Sequence, residues 1–150
     1  MNCAAVVLAA GNSSRMGQQK LLLPFNGQTV IQHIVNQLSQ AQLTNVIVVV
    51  GRDVDQIRRA LKSTQAVVID NPEYEQGMLT SVRAGIAALD HSVEACLICL
   101  GDQPALKTPV VDAIIHLGSE SDSKIIVPQY NTRRGHPLYI PRKYFNTIMS

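Results

Sequence analysis

Short apolar runs alternate with amphipathic segments along almost the whole chain. A continuous run of apolar, often β-branched residues is typical of a strand buried on both faces, whereas apolar residues three or four positions apart are typical of a helix. The predicted strands span residues 3–8, 45–50, 65–69, 95–100, 124–127 and 138–140. The predicted helices span residues 28–42, 54–61 (with Asp53 as N-cap), 79–89 and 108–117 (with Thr108 as N-cap).

This alternation predicts a single α/β domain over residues 1–150. Strands that are apolar almost throughout favour a mostly parallel sheet, doubly wound and of Rossmann-like type, with a layer of helices on each face. In such sheets ligands bind beyond the carboxyl ends of the strands. We therefore expect the functional residues in the segments that follow the strands.

The composition sets limits on partners and location. The 150 residues are 46% hydrophobic and carry a formal net charge of +2. A positive charge so small and scattered predicts neither nucleic-acid binding nor membrane binding, and no apolar segment has membrane-spanning length. Because the N-terminus also lacks a signal-peptide pattern, we expect a cytoplasmic protein.

Cys96 and Cys99 form a C-x-x-C pair inside a predicted strand. Such a pair commonly indicates redox chemistry or zinc binding. On a strand, however, residues three positions apart point to opposite faces, so these thiols cannot form a disulfide. A second C-x-x-C or a nearby histidine pair for zinc is not present in the sequence. We expect buried thiols without chemistry.

The loop after the first predicted strand combines glycines, serines and cations. Residues 11–17 carry Arg15, and Lys20 follows shortly afterwards. Glycines let the backbone approach a ligand, successive N–H groups bind anions, and Arg15 can hold phosphate through two hydrogen bonds. The spacing is neither that of a P-loop nor that of a dinucleotide fingerprint. The loop is interpreted as a triphosphate cradle, and an ordinary polar loop is the alternative.

Asp102 follows the fourth predicted strand, with Gly101 before it and Pro104 beyond it. Magnesium takes a few hard oxygen ligands and keeps its other positions for water and substrate phosphates. An aspartate that caps the next segment is the alternative. A phosphate loop at the same edge of the sheet favours the metal interpretation.

Two later segments also follow strands. Thr80 or Ser81 lies where a helix is predicted to begin, and helix N-termini offer free N–H groups to an anion or a base edge, although capping alone explains such residues. Gly135 would permit a tight turn, and His136 could donate a hydrogen bond to a phosphate, but a lone surface histidine is usually inert.

Leu8-Ala-Ala-Gly-x-Ser-x-Arg-Met-Gly-x-x-Lys-Leu-Leu resembles the nucleotide-binding signature of GT-A-type nucleotidyltransferases of the MobA/MocA family, and is most similar to the branch of molybdenum cofactor cytidylyltransferases. Leu100-Gly-Asp-Gln-Pro104 resembles the metal motif of that family, and Arg134-Gly-His-Pro137 resembles its acceptor motif. Gly77-Met-x-x-Ser-Val-x-x-Gly-Ile86 resembles the segment that reads the base, except that Leu79 replaces a small hydroxyl residue.

The resemblance implies roles for three groups of residues. The implied catalytic residues are Lys20, Arg15 and Asp102, with Mg²⁺ as the cofactor on Asp102. The implied nucleotide-binding residues are Ala9, Ala10, Gly11, Ser13, Ser14, Arg15, Met16, Gly17, Lys20, Asn71 and Ser81. The implied acceptor-binding residues are Gly77, Met78, Thr80, Gly135 and His136.

The implied reaction transfers a nucleoside monophosphate from a triphosphate to a phosphate acceptor and releases pyrophosphate. Ala9-Ala10-Gly11 resembles the cytidylyl-transferring members, which favours CTP as donor and molybdopterin or molybdenum cofactor as acceptor. We also expect transient contact with a molybdoenzyme or its chaperone. Relatives usually continue with a further strand and helix that bring a second acid to the metal, and residues 1–150 lack these.

Three interpretations therefore stay open. The first is a cytidylyltransferase of molybdenum cofactor biosynthesis. The second is another nucleotidyltransferase of the same fold, which acts on a sugar phosphate or a polyol phosphate. The third is a nucleotide- or cofactor-binding module without turnover, which the missing second acid favours.

Overall fold

A computed structural model describes residues 1–10 and 19–150. The strands are β1 (Cys3–Ala9), β2 (Pro24–Phe25), β3 (Gln28–Thr29), β4 (Val46–Val50), β5 (Val67–Asp70), β6 (Ala95–Leu100), β7 (Gln129–Tyr130), β8 (Arg133–Arg134) and β9 (Leu138–Pro141). The helices are α1 (Val30–Ser39), α2 (Val54–Ala60), α3 (Met78–Ala87), α4 (Thr108–Glu120) and α5 (Phe145–Met149). Short 3-10 turns span Lys20–Leu22, Tyr74–Gln76 and Arg142–Tyr144.

Five strands form one sheet in the order β5-β4-β1-β6-β9. β1 is central, since Val6 pairs in parallel with Ile47 of β4 on one side and with Ile98 of β6 on the other. β5 extends the parallel part, whereas β9 runs antiparallel to β6. The mostly parallel, doubly wound sheet that the sequence predicts is therefore confirmed.

Helices cover both faces of this sheet. Because strand side chains alternate between the two faces, Ala5 and Val7 of β1 join a buried cluster with α1, α2 and α4. Val6 joins a second cluster with α3 and α5. The result is three layers with an apolar core on each side of the sheet. None of the helices in the described ranges has both the length and the apolar character needed to cross a membrane.

α1 begins two residues after its predicted start, because Gln28–Thr29 pairs with Pro24–Phe25 in a short hairpin. Thr29 then caps the helix. Its Oγ1 accepts a hydrogen bond from the Gln32 N–H at 3.2 Å, and the Gln32 Oε1 accepts one from the Thr29 N–H at 2.8 Å. This reciprocal capping box fixes where the helix starts.

Of the N-caps predicted for two other helices, Asp53 does occupy the N-cap position of α2 but does not cap it through its side chain, and the prediction of Thr108 for α4 is wrong. Asp53 adopts a left-handed conformation with φ 61° and makes no capping hydrogen bond, and its Oδ2 lies 3.6 Å from the Arg52 Nε instead. Lys107 precedes α4, and the Thr108 hydroxyl donates to the Gln37 carbonyl oxygen at 2.7 Å. In both places a contact with another side chain or another helix has replaced local capping.

The predicted strand at residues 124–127 is also wrong. Only Ile126 of this segment pairs with β9, through backbone hydrogen bonds of 3.0 Å in both directions with Tyr139. Ile125 and Val127 remain 45% and 41% exposed. Their side chains therefore lack the burial that turns β-branched composition into a stable strand.

The two cysteines of the C-x-x-C pair point to opposite faces, as predicted. Cys96 lies in the cluster with α3, and Cys99 lies in the cluster with α1. Burial raises the pKa of Cys3 and of Cys96 to about 12 and also raises the pKa of Cys99. All three thiols are therefore protonated and inert near neutral pH.

α3 approaches β1 closely at Gly85. A Cβ on residue 85 would lie 2.2 Å from the Val6 Cγ1, and both residues are buried. Packing, and not an unusual backbone conformation, requires the glycine here.

We expect Gly85→Ala to lower the free energy of unfolding by about 1–3 kcal/mol, because overpacking against Val6 outweighs the helix preference of alanine. Urea unfolding measures this change. Val6→Ala removes the clashing methyl group, so the double variant should lose less stability than the sum of the two single variants. Strictly additive losses would contradict the contact.

Candidate functional site

A cleft of about 550 Å³ opens at the carboxyl ends of β1 and β6, opposite the beginning of α3. Six residues that the sequence analysis selected line this cleft, although they come from four separate segments of the chain. They are Ala9, Ala10, Lys20, Met78, Ser81 and Asp102. The edge of the sheet at which the fold class predicts a ligand is thus also where these residues meet.

Most of the predicted triphosphate cradle lies outside the described residues, namely Gly11, Ser13, Ser14, Arg15, Met16 and Gly17. Lys20 is exposed at the cleft, and its neighbour Leu21 is buried in the core cluster with α1. Gln19 is buried as well and donates from its Nε2 to the Asp53 Oδ2 at 3.4 Å. These contacts anchor the exit of the loop and hold the Lys20 backbone at the mouth of the cleft.

Asp102 stands beyond the end of β6 because Gly101 brings the turn against β1. The Gly101 N–H donates to the Leu8 carbonyl oxygen at 3.0 Å, and a Cβ on residue 101 would lie only 3.0 Å from the same oxygen. Asp102 is exposed at the cleft. Among residues 1–10 and 19–150 no three His, Cys, Asp or Glu side chains cluster as a metal site. A single accessible carboxylate still fits magnesium, which one or two carboxylates and substrate phosphates hold together.

Asn71 holds the segment after β5 against the beginning of α3. Asn71 is only 4% exposed. Its Nδ2 donates to Thr80 Oγ1 and to Ser81 Oγ, both at 2.9 Å. Its Oδ1 accepts from the Glu73 N–H at 3.1 Å. Both N–H bonds of this side chain are therefore used within the protein, and the side chain fixes Ser81 where that hydroxyl meets the cleft.

α3 begins at Met78, so Thr80 and Ser81 lie within its first turn and are not its caps. Gly77 precedes the helix with φ 121°, a conformation that side chains rarely adopt. The Thr80 hydroxyl lies within hydrogen-bond distance of the Gly77 carbonyl oxygen at 2.7 Å. Met78 is 60% exposed at the cleft, whereas Ser81 is 3% exposed.

Gly135 and His136 follow the hairpin formed by β7 and β8. The φ of Gly135 is not positive, and close packing accounts for the glycine, because a Cβ there would lie 2.6 Å from the ring of Tyr130. The Tyr130 hydroxyl donates to the His136 carbonyl oxygen at 3.1 Å. Desolvation lowers the pKa of His136, while the Asp102 carboxylate acts in the opposite direction. The histidine is therefore neutral at pH 7 and lies within the electrostatic reach of Asp102.

Sequence reasoning missed Tyr74 and Glu75, which line the cleft between Asn71 and α3. It also gave no role to Gly51, on which the ring of Tyr74 rests. Tyr74 follows a turn signal, Asn71-Pro72, and nothing in its local pattern separates a ring at the cleft from a ring on the surface. The glycine that ends β4 is the only local hint, because it admits a close neighbour.

We expect Asn71→Ala to lower the free energy of unfolding by about 1–3 kcal/mol, because the variant leaves a backbone N–H and two hydroxyl groups without their partner. Thermal or urea unfolding measures this loss. Asn36→Ala is the matched control, since Asn36 is exposed and its Nδ2 donates to the side chain of Gln28 at 2.8 Å. A loss no larger than that of the control would show that the Asn71 network does not stabilise the fold.

His136 should titrate below 6.5 in the folded protein, since burial disfavours its charged form. Asp102→Asn should lower this pKa further, because it removes the charge that opposes desolvation. Stability gained from the neutral ring is present above pH 6.5 and is lost as the pH falls through the folded pKa. NMR titration of the four histidines, with His136→Gln for assignment, measures both values. A pKa at or above 6.5 contradicts the prediction.

Comparisons with known proteins agree with this architecture. A family model described as MobA-like NTP transferase domain matches residues 5–150. Molybdenum cofactor cytidylyltransferase of Escherichia coli (strain K12) is 32% identical over 138 residues, which are 91% of this chain and 69% of that protein. Bifunctional protein GlmU of Sinorhizobium fredii (strain NBRC 101917 / NGR234) is 30% identical over 128 residues, and the match spans 28% of its length.

The crystal structure of Rv0371c from Mycobacterium tuberculosis H37Rv has a TM-score of 0.89 at 28% identity, over 99% of this chain and 75% of that one. A complex of Rv0371c with manganese has a TM-score of 0.81 at 28% identity, over 99% of this chain and 76% of that one. The family model spans nearly all of the sequence, and the cleft residues lie at the sheet edge that the fold class predicts. The chain therefore belongs to the MobA-like nucleotidyltransferases.

Proposed function

We propose that this protein transfers CMP from CTP to the phosphate of a molybdopterin-type acceptor and releases pyrophosphate. The observation that carries the proposal is the meeting of Lys20 and Asp102 in one cleft, at the end of the strand that leads into the glycine-rich loop. The 32% identity to a molybdenum cofactor cytidylyltransferase supports the choice of donor and acceptor.

The proposed chemistry is an in-line substitution at phosphorus. An oxygen of the acceptor phosphate forms a bond to the α-phosphorus of the nucleotide, the bond from that phosphorus to the bridging oxygen breaks, and pyrophosphate leaves with the electron pair. A phosphate is already ionised at neutral pH, so no strong general base is needed. The task of the protein is to align two anions and to neutralise their charge.

Each of the two positively charged side chains has a role in this scheme. Lys20 neutralises the α-phosphate as a point charge at the mouth of the cleft, and Arg15 together with the backbone N–H groups of residues 11–17 holds the β- and γ-phosphates. The anchored Gln19 and Leu21 support this arrangement, because they fix the backbone on either side of Lys20.

Asp102 is the residue that would hold Mg²⁺, whose charge would stabilise the phosphates when it is bound. A manganese complex of Rv0371c supports a divalent cation in this fold. Because desolvation lowers the pKa of His136, its ring would be neutral at pH 7 and would add no second positive charge near Asp102.

The base and the acceptor occupy the remaining surfaces in this scheme. Ala9, Ala10 and Ser81 line the cleft where the base would bind, and Asn71 holds the Ser81 hydroxyl in place. Met78 lines the cleft and, with Gly77 and Thr80 beside it in the sequence, would form the rim toward the acceptor. Gly135 and His136 are not among the residues that line the cleft, and the resemblance alone assigns them to the acceptor phosphate, to which the neutral ring would donate one hydrogen bond. Turnover of a molybdopterin acceptor would place the protein in the cytoplasm, in contact with a molybdoenzyme or its chaperone.

Pyrophosphate release in the presence of Mg²⁺ and molybdenum cofactor, compared for CTP, GTP and ATP, tests this proposal. We expect turnover with CTP and a loss of at least about 100-fold in kcat/KM for Lys20→Ala and for Asp102→Asn, because each removes a charge that stabilises the transition state. Chelation of the metal should abolish turnover.

Lys124→Ala and Asp55→Asn are the matched controls, because each removes the same type of charge from an exposed residue that does not line the cleft. Both should retain the rate of the unaltered protein. A preference for GTP would overturn the choice of base. Turnover only with a sugar phosphate or polyol phosphate would overturn the acceptor, and CTP binding without pyrophosphate release would indicate a non-catalytic binding module.

A further inference from the structure

The ring of Tyr74 lies directly on the backbone of Gly51, the residue that follows β4. A Cβ on residue 51 would lie 2.2 Å from Cγ, 2.4 Å from Cβ and 2.5 Å from Cδ1 of Tyr74. Any other residue at position 51 would therefore displace the ring. The half-buried Tyr74 also lines the cleft. One side of this side chain is thus fixed by the sheet, while the side chain as a whole borders the space that a ligand would occupy.

Hydrogen bonds also hold the backbone around Tyr74. The Tyr74 N–H donates to the Asn71 carbonyl oxygen at 3.3 Å, and the Gly77 N–H donates to the Tyr74 carbonyl oxygen at 3.3 Å. Asn71 is itself bonded to Ser81 of α3 through its side chain. The tyrosine is therefore pre-organised, and a ligand that stacks on it pays little conformational entropy for ordering the side chain.

The order of the strands separates Tyr74 from Asp102 across the cleft. Gly51 follows β4, Asp102 follows β6, and β1 lies between these two strands. With neighbouring strands about 4.8 Å apart, the two ends of the cleft are separated by roughly 10 Å. A nucleotide whose terminal phosphates lie beside Asp102 would direct its base away from β6 and toward the β4 side, where the aromatic ring lies.

From these observations we propose that the nucleobase stacks on the ring of Tyr74. Gly51 makes this possible, because a residue without a side chain leaves the space in which that ring lies. This inference rests on the proposed nucleotidyl transfer and assigns the base end of the same cleft. A ring face stacks on any planar base, whereas the edge of the base is read by polar groups. Two polar residues close to Tyr74 in the sequence, Glu75 and Ser81, line the cleft, whereas both N–H bonds of the Asn71 side chain are used within the protein.

The first test uses the fact that the chain has four tyrosines and no tryptophan. With ¹³C-labelled tyrosine rings, NMR gives a separate signal for each tyrosine, and Tyr74→Phe assigns one of them by its loss. We expect saturation with CTP to shift the Tyr74 signal upfield, because a stacked base imposes a ring current on it. Inorganic tripolyphosphate, which has the phosphates but no base, should leave this signal in place.

The second test measures affinity by calorimetry. Tyr74→Leu should weaken CTP binding by about tenfold or more and leave tripolyphosphate binding unchanged, and Tyr74→Phe should stay within about threefold of the unaltered protein. Gly51→Ala should also weaken CTP binding, although it retains the tyrosine, and should add little in the Tyr74→Leu background. Tyr144→Leu, a second half-buried tyrosine that does not line the cleft, is the control for folding and should bind CTP normally.

The outcomes separate this inference from the proposed function. If CTP supports pyrophosphate release but neither moves the Tyr74 signal nor binds Tyr74→Leu more weakly, the base lies elsewhere and the inference is wrong while the function stands. If another nucleotide is the donor, the same two measurements with that nucleotide decide, since stacking needs only a planar base. If no nucleotide binds and none releases pyrophosphate, both are overturned.

Discussion

The central strand sets the constraint on which the rest of the structure depends. β1 is paired on both edges and buried on both faces, with Val6 against Gly85 on one side and Val7 in the opposite cluster. Its backbone hydrogen bonds and its side chains are thus used inside the fold. Chemistry is left to the carboxyl ends of the strands, where the backbone leaves the sheet. The cleft lies at this edge of the sheet, where the segments that follow β1 and β6 carry Lys20 and Asp102.

Much of this arrangement could be predicted from the sequence because its signals are local. Runs such as Val46–Val50 and Ala95–Leu100 identify buried parallel strands by composition alone, and the order of strands and helices then brings Lys20 and Asp102 to the same edge. The prediction failed where tertiary contacts decide. The apolar segment at residues 124–127 pairs only through Ile126, and Asp53 contacts Gln19 and Arg52 where a helix cap was expected. The roles of individual cleft residues remain predictions.

Asn71 illustrates how a site residue can act through others. The resemblance implies contact with nucleotide, and the buried side chain is bonded to Ser81, which lines the cleft. The two N–H bonds of the side chain, however, donate to Thr80 and Ser81, and the side-chain oxygen Oδ1 accepts from the Glu73 N–H. A polar side chain satisfied in this way stabilises the geometry of the cleft at little energetic cost. Residue type and position predicted its location, but only the hydrogen bonds reveal how it is used.

Tyrosine rings rest on glycines at three places in the described part of the chain: Tyr74 on Gly51, Tyr139 on Gly118 and Tyr130 on Gly135. These contacts differ in how much of the ring remains accessible to a ligand. Tyr139 is 3% exposed, so its ring serves packing, whereas Tyr74 is half-buried and borders the cleft. An aromatic ring that is fixed on one side and open on another is suited to bind a planar ligand, while one enclosed on all sides can only stabilise the fold. The sequence does not distinguish the two cases, because the partners Gly51 and Gly118 lie far from their tyrosines along the chain. Exposure at the cleft therefore assigns Tyr74, and not Tyr139, to the ligand.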